Sequence, residues 1–340
     1  MSSVNEHSTL GELSEAEVLS AILPRLPRGQ HTLLGPGDDA AVLAVPGGHV
    51  AVTTDTLIEG PDFRRAWSAP FDIGWKAAAV NLADVAAMGA EPSGLVVAIA
   101  APPETLLDDL LGLADGLAAA CAALAPEVGV VGGDLASAPV LTVAVTAFGH
   151  FDGRAPVTRS GAQAGDVLAY CGRRGQAARA IALLFAEGCD DDGQPDARRA
   201  QALKLAHPAL IAAQLRPVPP LTAGPAAAKA GAHAMLDVSD GLSQDAGRLA
   251  VASGVGIRFD PATFSAEADF ELYGGEDHGL LAAFPPDTKL PDGFELIGSV
   301  TDESGVVRFG EERVEARGWE ALADWKARPF GAQGGGRSVS

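Results

Sequence analysis

The chain is poor in the residues that staple or metallate small folds. Its cysteines are Cys121, Cys171 and Cys189, too few and too scattered for a disulfide framework or a zinc site, which points to a reducing compartment. Its seven histidines form no His-x-x-x-His pair of the kind zinc enzymes carry. Basic residues are also scarce. Twenty-four Lys and Arg against 44 Asp and Glu leave a formal charge of -20, which argues against nucleic acid and against an anionic membrane surface as partners. No apolar run is long and uncharged enough to span a bilayer, and Met1-Ser-Ser-Val-Asn-Glu-His7 lacks the layout of a signal peptide. The expected location is therefore the cytoplasm. Familiar nucleotide motifs are missing too: there is no Gly-x-x-x-x-Gly-Lys-Ser/Thr loop, no Gly-x-Gly-x-x-Gly after a first strand and no protein-kinase set. Aromatic residues make up only 5%, and alanine supplies much of the apolar fraction, so close helix packing is expected in place of large aromatic clusters.

What the chain does have is acid at the ends of predicted elements. At 340 residues it exceeds one compact core, and two domains are the natural expectation. Residues 14–23 have helical spacing, with Ser14 as cap. Residues 41–45 read as a strand, Pro46-Gly-Gly48 as a hairpin turn, and residues 49–54 as the return strand delivering Asp55 at its carboxyl end. A long helix follows, with Asp72 as a plain N-cap and Gly89 as its stop. Residues 93–100 read as a strand, 105–124 as a helix, 128–131 as a strand ending in Gly132-Gly133-Asp134, and 140–148 as a further strand. The first half is thus expected to be an α+β unit, residues 1–150, with helices on one face of a mostly antiparallel sheet. A polar connector at residues 152–164 leads to an α/β unit, residues 151–328, and residues 329–340 read as a Gly/Ser-rich disordered tail. Asp190-Asp-Asp-Gly193 lacks the spacing and terminal Glu of a calcium loop and reads as a solvated linker.

Taken singly, Asp residues at element ends are caps or turn formers. Taken together they are harder to explain that way. Asp38 and Asp39 are adjacent like charges, Asp84 falls mid-helix among Ala, Val, Leu and Met, and Asp237 and Asp240 lie at the end of a buried strand. Such carboxylates are costly unless paired or metal-bound, and Lys76 can neutralise only one of them. Divalent cations shared with triphosphate oxygens would neutralise several, which suits magnesium. Arg159 is a candidate phosphate fork.

The ordered set Gly37-Asp-Asp-Ala-Ala, Thr53-Thr-Asp-Thr-Leu-Ile-Glu-Gly, Gly74-Trp-Lys-Ala, Val80-Asn-Leu-Ala-Asp-Val-Ala-Ala-Met-Gly-Ala-Glu-Pro92, Val131-Gly-Gly-Asp134, Asp237-Val-Ser-Asp-Gly-Leu242 and Tyr273-Gly-Gly-Glu-Asp277 closely resembles the thiamine-monophosphate kinase family. That family belongs to the superfamily of aminoimidazole ribonucleotide synthetase and selenophosphate synthetase, and the resemblance covers roughly residues 10–320. It implies ATP-dependent phosphorylation of thiamine monophosphate to thiamine diphosphate, assisted by several magnesium ions. It also implies a two-domain aminoimidazole ribonucleotide synthetase-like fold, and a homodimer formed through the N-terminal sheet. By motif, Asp39, Thr53, Thr54, Asp55, Asp84, Asp134, Asp237 and Asp240 would bind magnesium, with Thr53 acting through its backbone oxygen. Gly133, Arg159 and Ser239 would contact ATP, and Asp62, Glu276 and Trp319 the thiamine phosphate. No general base is implied. This chain reads Glu59-Gly-Pro-Asp-Phe63 where the family has Glu-Gly-Val-His-Phe, and places His278 where the family has Tyr. Selenophosphate synthetase would need a reactive cysteine near the N-terminus, whereas the first here is Cys121; the Gly-Val-Gly-Thr-Lys segment of the purine-pathway synthetase is missing. The competing reading from another class is a catalytically idle protein that binds ATP or thiamine phosphate for regulation.

Overall fold

The computed structural model describes residues 7–34, 42–315 and 317–318. In the first half, α1 (Glu15–Ile22) starts at Ser14, whose side chain accepts from Glu17 N while Glu17 reaches back, the reciprocal cap its sequence predicts. Strands β1 (Thr32–Leu34) and β2 (Val42–Leu43) pair with each other. Then come β3 (Val50–Ile58), α2 (Pro70–Ala87), β4 (Glu91–Ala101), α3 (Leu107–Leu124), β5 (Gly129–Ser137) and β6 (Thr142–His150). A four-stranded sheet runs β3-β6-β4-β5, antiparallel except between β4 and β5. Period-two alternation puts Leu57, Leu95, Val97, Ile99, Val143 and Val145 on the face that α2 covers. The other face is open, with Val52 57% exposed. Helices α2 and α3 lie close because Gly74 and Gly116 face the partner helix's carbonyls at Leu113 and Phe71, where a Cβ would collide.

The second half carries β7 (Val167–Cys171), α4 (Gln176–Glu187), α5 (Ala197–Ala206), α6 (Pro208–Leu215), α7 (Ala223–Lys229), β8 (Ala234–Val238), α8 (Leu242–Ser253), β9 (Gly256–Phe259), α9 (Ala268–Tyr273), β10 (Gly279–Phe284), β11 (Phe294–Thr301), β12 (Val307–Phe309) and β13 (Glu312–Arg313). Seven strands form one sheet, in the order β13-β12-β9-β11-β7-β10-β8. Strands and helices alternate along the chain as expected, yet all pairings but β9–β12 are antiparallel. Two apolar clusters use this sheet: one holds Leu236, Leu249 and Leu281, the other Met235, Ala227 and Phe284. Helices α4–α6 form a third cluster that receives Trp67 from the first half. The halves are tied by two indoles: Trp67 Nε1 donates to Gly188 O at 2.9 Å and Trp75 Nε1 to Pro217 O at 2.8 Å. No helix among the described residues is long and apolar enough to cross a membrane.

Four local expectations are corrected. The Pro46-Gly-Gly48 turn forms, but β2 and β3 do not pair across it; nine residues of β3 pair with β6, and that long register outweighs a two-residue hairpin arm. Asp55 lies inside β3, not at its end. Gly132, Gly133 and Asp134 likewise lie within β5, which continues to Ser137. Asp72 is not the N-cap of α2. Ala69 is, because Pro70 presets the first helical residue, and Asp72 reaches back to Ala69 N at 3.0 Å. It also pairs with Lys204 at 3.4 Å and Arg216 at 3.3 Å, so it latches α2 to the second half. The predicted tail at residues 329–340 lies outside the described residues.

Candidate active site

β3 is an edge strand, and α2 lies under it. Side chains alternate along β3, so Thr53, Asp55 and Leu57 share the face toward α2. On α2, Asn81 and Asp84 are three apart and meet that face together. Thr53 donates its hydroxyl to Asp84 Oδ2 at 2.8 Å, and Asp55 N donates to Asn81 Oδ1 at 3.0 Å. Asn81, whose role sequence reasoning left unassigned, is buried and also donates to Ala77 O at 2.9 Å, which orients its amide. A buried Asn in an alanine-rich helix was the available signal.

The second half brings the opposing acids. Asp237 is the penultimate residue of the fully buried β8, and its Oδ2 lies 3.2 Å from Nδ1 of His278. Asp240, in the turn before α8, pairs with Arg248 at 2.6 Å, while Asp245 Oδ2 accepts from Asp240 N. Burial and the charge of Asp240 push Asp245 up to about 6. Arg248 and Asp245 escaped sequence reasoning because nothing in their spacing distinguishes them from an ordinary helical i,i+3 pair.

These groups feel one another across the cleft. Burial pushes the Asp84 carboxyl up to about 7, and the charges of Asp237 and Asp55 push the same way, against the Thr53 bond and His278. Burial raises Asp55 as well, with Asp237 and Asp240 adding to it and His278 opposing. Beside them opens a cavity of about 820 Å³ whose lining includes Val52, Thr53, Asp84, Arg154, Arg159 and Asp237. Gly133 has no room for a side chain, since a Cβ would meet Val97 O.

The substrate-side candidates sit further along. Asp62 Oδ2 accepts from Ile58 N at 2.7 Å, so its carboxylate closes the turn after β3. Burial raises its pKa, Lys76 lowers it, and Glu276 and Asp55 raise it. Glu276 adopts a left-handed backbone (φ 66°), as does His278 (φ 51°). Two such residues in one loop store strain of the kind found at functional sites. Their amides are anchored on Ser239 O at 2.7 Å and Val238 O at 3.1 Å. The ammonium of Lys76 lies 3.0 Å from both Glu276 oxygens, and Gln214 Nε2 donates to Oε2. Burial works against the Glu276 carboxylate, but Lys76 and Gln214 hold its pKa below the usual range.

Asp55, Asp84, Asp237 and Asp240 are therefore gathered, with Thr53 beside them and Arg159 on the cavity wall. Thr54 and the β5 residues Gly133 and Asp134 are not. Thr54 faces the open side of the sheet, where its hydroxyl donates to Val145 O at 2.9 Å. Asp134 is in register with Ala98 on β5, on the face opposite Leu135, which packs against the core. Two strands separate β5 from β3, a span of about 14 Å. Asp38, Asp39 and Trp319 lie outside the described residues. Among the described residues no three His, Cys, Asp or Glu side chains close around one point as a metal cage. The gathered donors are all hard oxygens on separate elements, which fits cations shared with a phosphate-bearing ligand, the usual way magnesium is held.

Residues 37–151 match the family model described as AIR synthase related protein, N-terminal domain, and residues 163–310 match its C-terminal domain. A thiamine-monophosphate kinase of Mycobacterium tuberculosis is 40% identical over 339 residues, spanning 94% of this chain and 95% of the relative. The crystal structure of thiamine-monophosphate kinase from Stenotrophomonas maltophilia superposes with a TM-score of 0.71 at 31% identity, covering 88% of this chain and 96% of that one. A structure of AaThiL complexed with AMPPCP and TMP superposes with a TM-score of 0.69 at 29% identity, covering 80% and 87%. Matches of that identity along nearly the whole length, on top of the two domain models, mean that the chain belongs to the AIR synthase related family and, within it, to the thiamine-monophosphate kinases.

Proposed function

We propose that this protein transfers the γ-phosphoryl group of ATP to thiamine monophosphate, giving thiamine diphosphate and ADP, in the cytoplasm. The observation that carries the reading is the gathering of acids: Asp237 from one half faces Asp55 and Asp84 from the other at a cleft wide enough for a nucleotide, where burial and the charge of Asp237 raise the proton affinity of Asp55 and Asp84. So much negative charge suits a ligand that arrives with counter-ions. Magnesium, when bound, would be held by Asp55, Asp84, Asp237 and Asp240 with Thr53 and the Asp39 of the family motif, and would neutralise phosphate oxygens and the charge that develops on them; Thr54 and Asp134, on the open face, would not join that set within one chain.

The chain's own residues hold and align. Arg159 on the cavity wall receives ATP, with Ser239 beside Asp240 and, by the family motif, Gly133 on β5 as further contacts. Asp62, Glu276 and Trp319 face the thiamine phosphate. The acceptor is a phosphate monoester, largely ionised near neutral pH, so in-line attack needs no proton abstracted by the protein and no general base is assigned. Residues 1–150 supply the acidic wall and residues 151–328 complete it. A second copy would cover the open face of the first sheet, the face that carries Thr54 and Asp134, and make a homodimer.

The test is direct. Incubation with ATP, magnesium and thiamine monophosphate is expected to give thiamine diphosphate, and chelation by EDTA to stop it. No product under conditions where ATP binding is demonstrated would overturn the reading.

A further inference from the structure

Lys76 is a buried cation, with 7% of its side chain exposed, whereas its partner Glu276 keeps 40% of its side chain open to solvent. The pair is therefore closed on the lysine side and partly open to solvent on the glutamate side. Glu276 does not depend on Lys76 for its position. Its backbone is fixed through Ser239 O, the loop again through His278 N to Val238 O, and its carboxylate through Gln214. Lys76 also acts on Asp62, the other substrate-side acid: it lowers the pKa of both Asp62 and Glu276.

We propose that Lys76 is a further substrate-binding residue, and that Lys76 and Glu276 form a separable ion pair which the substrate opens by taking both partners. The inference rests on the kinase reading for the substrate's identity. Thiamine monophosphate carries a cationic thiazolium ring joined by a two-carbon chain to an anionic phosphate. Its phosphate displaces the Glu276 carboxylate at Lys76 Nζ, and its thiazolium takes the place of Lys76 at Glu276. Each protein charge exchanges one opposite partner for another, so neither is left buried and alone, the state that makes breaking such a pair costly. A ligand with only one of the two charges cannot make the exchange. Thiamine offers nothing to Lys76, and inorganic phosphate offers nothing to Glu276. The pair thus selects for the phosphorylated form of the vitamin, and Gln214 keeps Glu276 in place while its partner changes.

The experiment measures binding of thiamine monophosphate and of thiamine by calorimetry, with magnesium and a non-hydrolysable ATP analogue present. The wild type is expected to favour thiamine monophosphate strongly. Lys76→Met should weaken thiamine monophosphate at least about 30-fold, the loss typical when one partner of a buried charge pair is truncated. Thiamine binding should hold or tighten, because Lys76 no longer competes for Glu276 or is left unpaired, so that the preference collapses. Lys76→Arg should retain the preference. Glu276→Gln should weaken both ligands together. Should Lys76→Met not fold, the Lys76→Gln/Glu276→Gln double variant, which buries no unpaired charge, is expected to lose the preference equally. A wild-type preference in Lys76→Met, or in the double variant, overturns the proposal while leaving the kinase reading intact. A wild type that neither binds thiamine monophosphate nor forms the diphosphate overturns both.

Discussion

Thr53 on β3 donates its hydroxyl to Asp84 on α2 at 2.8 Å. One bond from an edge strand to a mid-helix acid fixes the distance between the two acidic elements of the first half. It also leaves the second Asp84 oxygen for a ligand. With Asp55 two residues along the same face, the strand and the helix form one rigid wall of the cleft.

Asp55→Ala should therefore abolish turnover and spare the fold. Desolvation in the cleft and the charges of Asp237 and Asp240 raise the pKa of Asp55, so removing it relieves repulsion. The expected result is a fall in kcat of at least about 100-fold, with the melting temperature held or raised. Steady-state kinetics and calorimetry check this; a near-normal kcat would remove Asp55 from the site.

Asp62→Asn should tighten the binding of thiamine monophosphate. The amide oxygen can still accept from Ile58 N, so the turn is kept, while a negative charge beside an anionic substrate is lost. A several-fold fall in KM for thiamine monophosphate, with KM for ATP unchanged, is expected, on the order of 1 kcal/mol. Asp62→His, which restores the family's residue, also loses the Ile58 bond and should gain less. An unchanged KM in Asp62→Asn would show that the carboxylate does not face the phosphate.

Asp277 predicts a pH effect on stability. Burial pushes its carboxyl from 3.8 up to about 6, against the backbone donors Ala177, Gly175 and Gln176 at the start of α4. Between about pH 4 and 6 the folded chain binds this proton more tightly than the unfolded one, so stability falls as pH rises through that window and levels off above it. The contribution lost is roughly 3 kcal/mol. Asp277→Asn has no such titration. Relative to wild type it should gain stability between pH 4.5 and pH 7.5, read as the difference in urea midpoints; an equal difference at both values would refute the assignment.

Gly116→Ala should destabilise the first half. The added Cβ would meet Phe71 O across the α2–α3 contact, where only backbone lies opposite and nothing flexible can yield. A loss of about 1–3 kcal/mol in urea unfolding is expected. A neutral result would mean that the two helices separate at little cost.

Much of the architecture was legible because it rests on local periodicity. The apolar run over residues 93–100, the strand pattern over 140–148 and the Ser14 cap are properties of short segments, and strands β4 and β6 and helix α1 formed there, to within a few residues. Local signals failed where a distant partner decided. Pro46-Gly-Gly48 made its turn, but β3 chose β6 as its neighbour. Asp72 carried the mark of a cap, yet its carboxylate is claimed by Lys204 and Arg216, each more than a hundred positions away.

The same division runs through the site. Residue type and position along the chain determined which acids matter: an Asp amid the apolar residues of a helix, or at the end of a buried strand, is costly enough to demand a ligand, and Asp84 and Asp237 are placed accordingly. Only the tertiary structure decided which of them meet. Strand alternation and sheet order put Asp55 with Asp84 and Asp237 but turned Thr54 and sent Asp134 to the open face, because a strand can offer only every second side chain to the same cleft. Lys76, Gln214 and Glu276 lie far apart along the chain and share no spacing rule. Packing of α2 and α6 against the α9–β10 loop joins them, and a buried charge has to find its opposite wherever the fold provides one.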